Sequence, residues 1–263
     1  MEQGIFSHTY WRSAAAEVKD LKQLVFAALI CALSIVVGAL YVVVGDNLRV
    51  YFTFFITSVG CAVYGPIMGM LVAAVTDTLN FLLFPSGPYF PGYMLGEMVA
   101  ALIYGLLLYR RRITVLRLFG AKLLVNYIVN VALGCLWSQM LYKNGYLYYL
   151  VKSLIKNSLM LPLEVIALAA LFAVLLPVFS RFGLLPGHDK CDLKKLSISS
   201  SAFTVFGLDC LFGGGCSFYY STTLETGGPI FLGLAIVLAV IGVGLLIAGP
   251  ALQQRQSGNQ HKR

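Results

Sequence analysis

Charge is what this sequence has least of. Only 11% of its 263 residues are Asp, Glu, Lys or Arg, against roughly 25% in a soluble domain. That excludes a water-facing globular surface for most of the chain. Histidine is almost missing too: His8, His188 and His261 all fall outside the apolar runs, so an intramembrane Ser-His protease would have no base. There is no Gly-x-x-x-x-Gly-Lys-Ser/Thr and no His-Glu-x-x-His, which excludes ATP hydrolysis through a P-loop and that form of zinc hydrolase. The six cysteines, Cys31, Cys61, Cys135, Cys191, Cys210 and Cys216, form no Cys-x-x-Cys pair; neither a disulfide framework nor a metal site is expected. Met1 to Asp20 has no long apolar core and no cleavage signature, so no removable signal peptide is expected. Inverted repeats, common in secondary transporters, are not evident. No enzyme chemistry and no cofactor are expected.

What the sequence has in abundance is apolar length. It is 59% hydrophobic with a mean hydropathy of +0.83, the mark of a polytopic membrane protein. After a short amphipathic lead-in, spans are expected at 21–44, 50–63, 67–84, 93–109, 118–141 and 147–179. Tyr64-Gly65-Pro66 should make a tight turn between the second and third. A polar linker, 181–200, precedes two more spans at 202–220 and 229–252. With the N-terminus in the cytoplasm, Arg12, Lys19, Lys22, Arg110 to Arg112, Arg117, Arg181, Lys190, Lys194, Lys195, Arg255, Lys262 and Arg263 all lie inside. This is the positive-inside bias. It accounts for the formal charge of +8 without nucleic acid as a partner, and makes membrane lipid the main surrounding. Both termini are then cytoplasmic.

The chain is organised around Phe84-Pro85-Ser86-Gly87-Pro88-Tyr89-Phe90-Pro91-Gly92-Tyr93. Three prolines and two glycines within it cannot continue a helix. Its rings suit either an aromatic belt at the membrane surface or a platform for a flat ligand. The topology puts this loop outside, together with the Arg49 loop. Within the spans lie Asp77, Glu97, Lys152, Lys156, Glu164 and Asp209, with Asn80, Asn126, Asn130 and Asn157. Ionisable groups at such depth are costly and usually face the bundle interior. Lys152 and Lys156 share a helix face, as do Asn126 and Asn130. Cations, amides and rings together fit a planar anionic ligand entering from outside, while lysines near a helix end can also simply snorkel to headgroups. Glu164, after Leu161-Pro162-Leu163, suits internal packing. Asp77 either pairs with a cation or caps a kink.

Three strings give these residues a family likeness: Leu48-Arg49-Val50-Tyr51-Phe52; Leu82-Leu83-Phe84-Pro85-Ser86-Gly87 through Phe90-Pro91-Gly92 to Ile103-Tyr104-Gly105-Leu106 and Tyr109-Arg110-Arg111; and Leu136-Trp137, Leu141-Tyr142 and Ile155-Lys156-Asn157-Ser158-Leu159-Met160-Leu161-Pro162-Leu163-Glu164-Val165. Through them residues 21–180 resemble the folate-specific substrate-binding (S) component of energy-coupling factor (ECF) transporters. The resemblance implies an all-α fold, a six-helix S-component bundle, here with two appended C-terminal transmembrane helices. The resemblance covers the vitamin-binding domain, 21–180; the apolar runs and charges add a cytoplasmic lead-in 1–20, a cytoplasmic linker 181–200 and a two-helix extension with a basic tail, 201–263, which matches nothing in that family. The resemblance implies a multi-pass protein of a prokaryotic cell membrane that captures folate outside and delivers it with a transmembrane coupling protein and two ABC-type ATPases. A subunit of the same fold for riboflavin or thiamine is the alternative within transport, and a ligand-free scaffold the alternative outside it. The expected substrate-binding residues are Arg49, Tyr89, Phe90, Tyr93, Glu97, Asn130, Trp137, Lys152, Lys156 and Asn157. Ala28 and Ala32 match the family's Ala-x-x-x-Ala docking pattern. Three departures stand out: Gly134-Cys135 precedes Leu136-Trp137 where an asparagine is usual, Lys152 replaces an expected arginine, and Glu97 replaces a small neutral residue.

Overall fold

A computed structural model of the chain describes residues 8–45, 48–85, 89–142, 146–182, 200–223, 232–233 and 235–248. The elements, in chain order, are α1 (His8–Ala16), a 3₁₀ turn (Glu17–Lys19), α2 (Leu21–Gly38), β1 (Tyr41–Gly45), β2 (Leu48–Tyr51), α3 (Thr53–Leu83), α4 (Pro91–Leu108), α5 (Val115–Leu124), a π-helical segment (Val125–Leu133), α6 (Gly134–Tyr142), α7 (Tyr146–Phe182), α8 (Ser200–Thr223) and α9 (Ala235–Ala248). Among the described residues five helices are long and apolar enough to cross a membrane: Leu21–Gly38, Thr53–Leu83, Pro91–Leu108, Val115–Leu141 and Lys156–Phe179. The chain is a multi-pass, all-α membrane protein. It divides into two compact units, Met1–Ile113 with Ala170–Leu196, and Thr114–Ala169 with Ser197–Arg263.

Two expected spans share α3. Gly65, at φ +81° and ψ −176°, breaks the helix just before Pro66. A straight helix would hold positions 61 and 69 about 12 Å apart. Instead, a Cβ on Gly69 would lie 2.7 Å from Cys61 Sγ, so the chain bends sharply at Gly65. Only glycine takes that φ without strain, and Pro66 cannot donate to the helix behind it. The bend is packed tightly: a Cβ on Gly105 of α4 would stand 2.5 Å from Pro66 Cα.

The first span differs from the reading at 21–44. Helix α2 ends at Gly38, and Tyr41–Gly45 pairs antiparallel with Leu48–Tyr51, placing Val43 opposite Arg49. The run Val42-Val43-Val44 is β-branched and prefers a strand, but it abuts an apolar helix, so hydrophobicity alone does not divide the two. This hairpin supplements the helical fold.

The lead-in is tied to the foot of α4. Tyr10 is buried against Tyr109, with ring centroids 5.7 Å apart, and its hydroxyl donates to the Gly105 carbonyl at 3.1 Å. Tyr109 donates to Glu17 Oε1 at 2.7 Å, and Arg110 Nη2 pairs with the same oxygen at 3.3 Å. Burial pushes the Tyr10 phenol up to about 12, against the pull of Arg111 and Arg110, so it remains a donor at any physiological pH. Arg110 takes φ +54°, the helix-ending conformation usually left to glycine.

In the second unit Phe119, Leu161 and Val165 form a core covered by Leu123, Tyr127, Val205 and Phe206. Helix α8 reaches it through glycine. A Cβ on Gly213 would lie 3.1 Å from the Ser158 carbonyl oxygen, the group that Pro162 cannot partner because it has no N–H. Gly207 and Gly242 pack against each other's backbone, and Gly214 lies against Ala235 and Ala239. The small-residue face of the last helix therefore has its partner in α8.

Gly105→Ala should lower the melting temperature of the detergent-purified protein, since overpacking costs about 1–3 kcal/mol and the obstacle here is backbone. Gly120→Ala, with nothing within 4 Å of its would-be Cβ, should leave it unchanged or raised.

Candidate ligand-binding site

A lysine in hydrocarbon needs an anion and hydrogen bonds, or it is not tolerated. Lys122, in α5, is 2% exposed, and its Nζ stands 3.3 Å from Glu164 Oε1. The other carboxylate oxygen, Oε2, accepts from Asn126 Nδ2 at 2.8 Å. From there the bonds continue: Asn130 Nδ2 donates to Asn126 Oδ1 at 3.1 Å and to Asn157 Oδ1 at 3.2 Å. Asn157 Nδ2 donates to the Ser153 carbonyl at 2.8 Å, and Ser153 Oγ donates to the Asn130 carbonyl at 3.1 Å. The result is a polar ladder from a buried ion pair at Lys122 to Asn130, which is exposed.

The local sequence explains the ladder. Lys122, Asn126 and Asn130 recur every four residues, and Ser153 and Asn157 do the same on α7, so each set lines one face. Asn126 and Asn130 stand in the nine-residue π-helical segment Val125–Leu133, a rare helix form that often marks functional sites. Beside the ladder, Tyr127 and Ser158 share a 2.7 Å hydrogen bond between hydroxyls. The internal role suggested for Glu164 by its sequence context matches this geometry.

The structure brings together two of the ten expected substrate residues here, Asn130 and Asn157. Lys156 is half-buried on α7 next to Asn157, and Trp137 is half-buried on α6. Lys152 lies on α7, four residues before Lys156; its side chain lies outside the described residues. In the first unit, Arg49 is on β2 opposite Val43, and its side chain is also outside the described residues, as are Ser86, Gly87 and Pro88 of the aromatic loop. The rest of that loop is ordered by its own rings. Tyr89 packs on Phe81 with centroids 4.9 Å apart, and Phe90 stands edge-on to Tyr93 at 5.9 Å. Tyr89 and Tyr93 are exposed, and so is Glu97, one turn after Tyr93 on α4. Lys122, Tyr127, Ser153 and Ser158 were missed in the sequence. The four-residue spacing of Lys122 from Asn126 was the available signal.

Comparison with known proteins adds an independent line. A family model described as the substrate-specific component of ECF transporters matches residues 22–188. The chain is 28% identical over 151 residues to a protein named Folate transporter FolT from Clostridium novyi (strain NT), a match covering 57% of this chain and 88% of that one. It is 33% identical over 153 residues to a Folate transporter FolT from Leuconostoc mesenteroides subsp. mesenteroides, covering 56% and 82%. Among solved structures it is similar to a crystal structure of FolT bound with folic acid, with a TM-score of 0.52 and 31% identity, covering 56% of this chain and 89% of the other. Residues 189–263, with α8 and α9, lie beyond the family match.

Removing one partner of a buried ion pair costs about 3–5 kcal/mol, because the other charge is left alone. Lys122→Met should therefore lower the melting temperature sharply. Adding Glu164→Gln, which removes the stranded charge yet still accepts from Asn126, should restore most of the loss.

Proposed function

Since the chain belongs to the family of ECF transporter substrate-specific components, we propose that it captures extracellular folate and passes it inward with a separate coupling protein and two ABC-type ATPases. The observation that carries this reading is its kinship to two folate transporters over 82–88% of their lengths. The residues present suit such a ligand. Folate is a flat pterin on an arm ending in two carboxylates. In this reading Arg49 with Lys152 or Lys156 receives the carboxylates. Asn130 and Asn157, whose N–H groups the ladder uses, offer amide oxygens to the donors of the pterin edge. Tyr89, Phe90, Tyr93 and Trp137 stack on rings or close over the ligand, and Glu97 meets the pterin's amino groups. Lys152 keeps the charge of the arginine it replaces but gives up the two-pronged grip.

Docking on the coupling protein falls to α2. Ala27 is buried inside the unit, whereas Ala28 and Ala32 are exposed on one face, flanked by Leu24, Val25, Leu29 and Val36, all exposed. In lipid, helices associate by close packing, and small residues permit the approach. The termini are cytoplasmic in this arrangement, and the vitamin enters on the side of the Arg49 hairpin.

Purification without added ligand should yield a folate absorbance spectrum; a flavin spectrum would make the substrate another vitamin, and a protein that never takes up any vitamin would leave a scaffold. Titrating folate into Arg49→Ala should show about thirtyfold weaker binding or more, since losing a hydrogen-bonded charge partner costs about 2–5 kcal/mol. An unchanged affinity removes Arg49 from the site. Ala28→Trp with Ala32→Trp should leave folate binding nearly intact and abolish both uptake and co-purification with the coupling protein. Uptake that persists puts docking elsewhere.

A further inference from the structure

Helix α8 lies beyond the family match, yet it packs on the same unit as the polar ladder and brings an acidic side chain with it. Asp209 is 7% exposed, and its Oδ2 is buried without a hydrogen-bond partner. It lines a groove of about 320 Å³ between α5 with its π-helical continuation and α8. The walls are Phe119, Leu123 and Tyr127 on one side and Leu208 and Phe212 on the other. Among the described residues Tyr127 is the one other polar side chain lining it, and its hydroxyl is engaged by Ser158 Oγ. As a bare anion a carboxyl so placed is costly: it either holds a proton or meets a cation in the groove.

The complement of this groove is specific in kind. Calcium needs roughly six to eight oxygen ligands, and magnesium holds to its waters; one carboxyl among apolar walls serves neither. An organic cation carrying a hydrocarbon body meets every feature. Its charge is matched by Asp209, Phe119, Tyr127 and Phe212 give the groove the aromatic lining that suits a cation, and Leu123 and Leu208 cover its apolar part. The volume sits at the small end of ligand sites. We infer that the groove between α5 and α8 is a second binding site, for a small lipophilic ammonium ion held by Asp209. The same ammonium chemistry is carried by free alkylamines and by amine-bearing lipid headgroups.

The test uses the full chain in dodecyl maltoside, a detergent without charge or ammonium groups. Radiolabelled hexyltrimethylammonium is titrated by equilibrium dialysis; its charge is permanent, so pH does not intrude. Wild type should bind it saturably and prefer it to its uncharged carbon isostere. Asp209→Asn should bind it at least about tenfold more weakly, with Asp209→Glu retaining much of the affinity. Adding phosphatidylcholine separates the two sources: competition identifies a lipid headgroup as the occupant, and its absence a free amine. Should Asp209→Asn fail to fold, the preference of wild type for the cation over its isostere carries the test alone. Equal binding of cation and isostere by wild type, or equal binding of the cation by wild type and a folded Asp209→Asn, overturns the proposal.

Discussion

A polar side chain inside a bilayer has no water to turn to, so it must find its partners within the protein. The second unit depends on that constraint. Lys122 and Glu164 neutralise each other at 3.3 Å, and Glu164 then fixes Asn126, which fixes Asn130, which fixes Asn157. Asn126 and Asn157 each donate with the nitrogen and accept with the oxygen, while Asn130 donates in both directions from its Nδ2. Taken singly, none of these groups would be tolerated at that depth. Linked, they clamp α5 to α7 in one register. The ion pair is weak evidence for net stability, since well-packed apolar residues of similar size can do as well.

That register has a functional consequence. The ladder begins in the interior and ends at an exposed Asn130, with Lys156 adjacent in sequence to Asn157 at the same level. Groups that are already satisfied do not need to reorganise when a ligand arrives, which lowers the ordering cost of binding. The π-helical segment sets the spacing of the asparagines. In the first unit Phe81 packs on Tyr89 and Phe90 stands edge-on to Tyr93; in the proposed reading these contacts hold the rings ready for the ligand.

Much of this was legible in the sequence. The apolar runs 93–109, 118–141 and 147–179 fall within about three residues of α4, of Val115–Leu141 and of α7, and the turn expected at Tyr64-Gly65-Pro66 coincides with the bend in α3. The family likeness was carried by short strings, and the family model spans the same stretch. The hairpin at 41–51 was not legible, because an all-valine run beside a helix carries no period. Lys122 is hard to read because a lone lysine near the end of a span looks like a boundary charge; its carboxylate lies 42 residues away in sequence, a distance no local pattern bridges. The adjacent alanines of α2 look alike in sequence, and only packing separates buried Ala27 from exposed Ala28 and Ala32. Helix α8 carried no recognisable string, so its glycine contacts with Ser158 and α9 emerge only in three dimensions.

The central proposal is that the ladder holds α5 and α7 in register while Lys156, next to its Asn157 in sequence, serves the ligand. Folate titration by calorimetry into Lys156→Met, paired with thermal unfolding of the same sample, tests it most directly. Methionine keeps the length of the side chain without its charge. The account predicts affinity about thirtyfold lower or more, with a fall in melting temperature well short of that caused by Lys122→Met. Folate affinity unchanged beside a falling melting temperature would contradict it, because Lys156 would then belong to the packing and not to the vitamin.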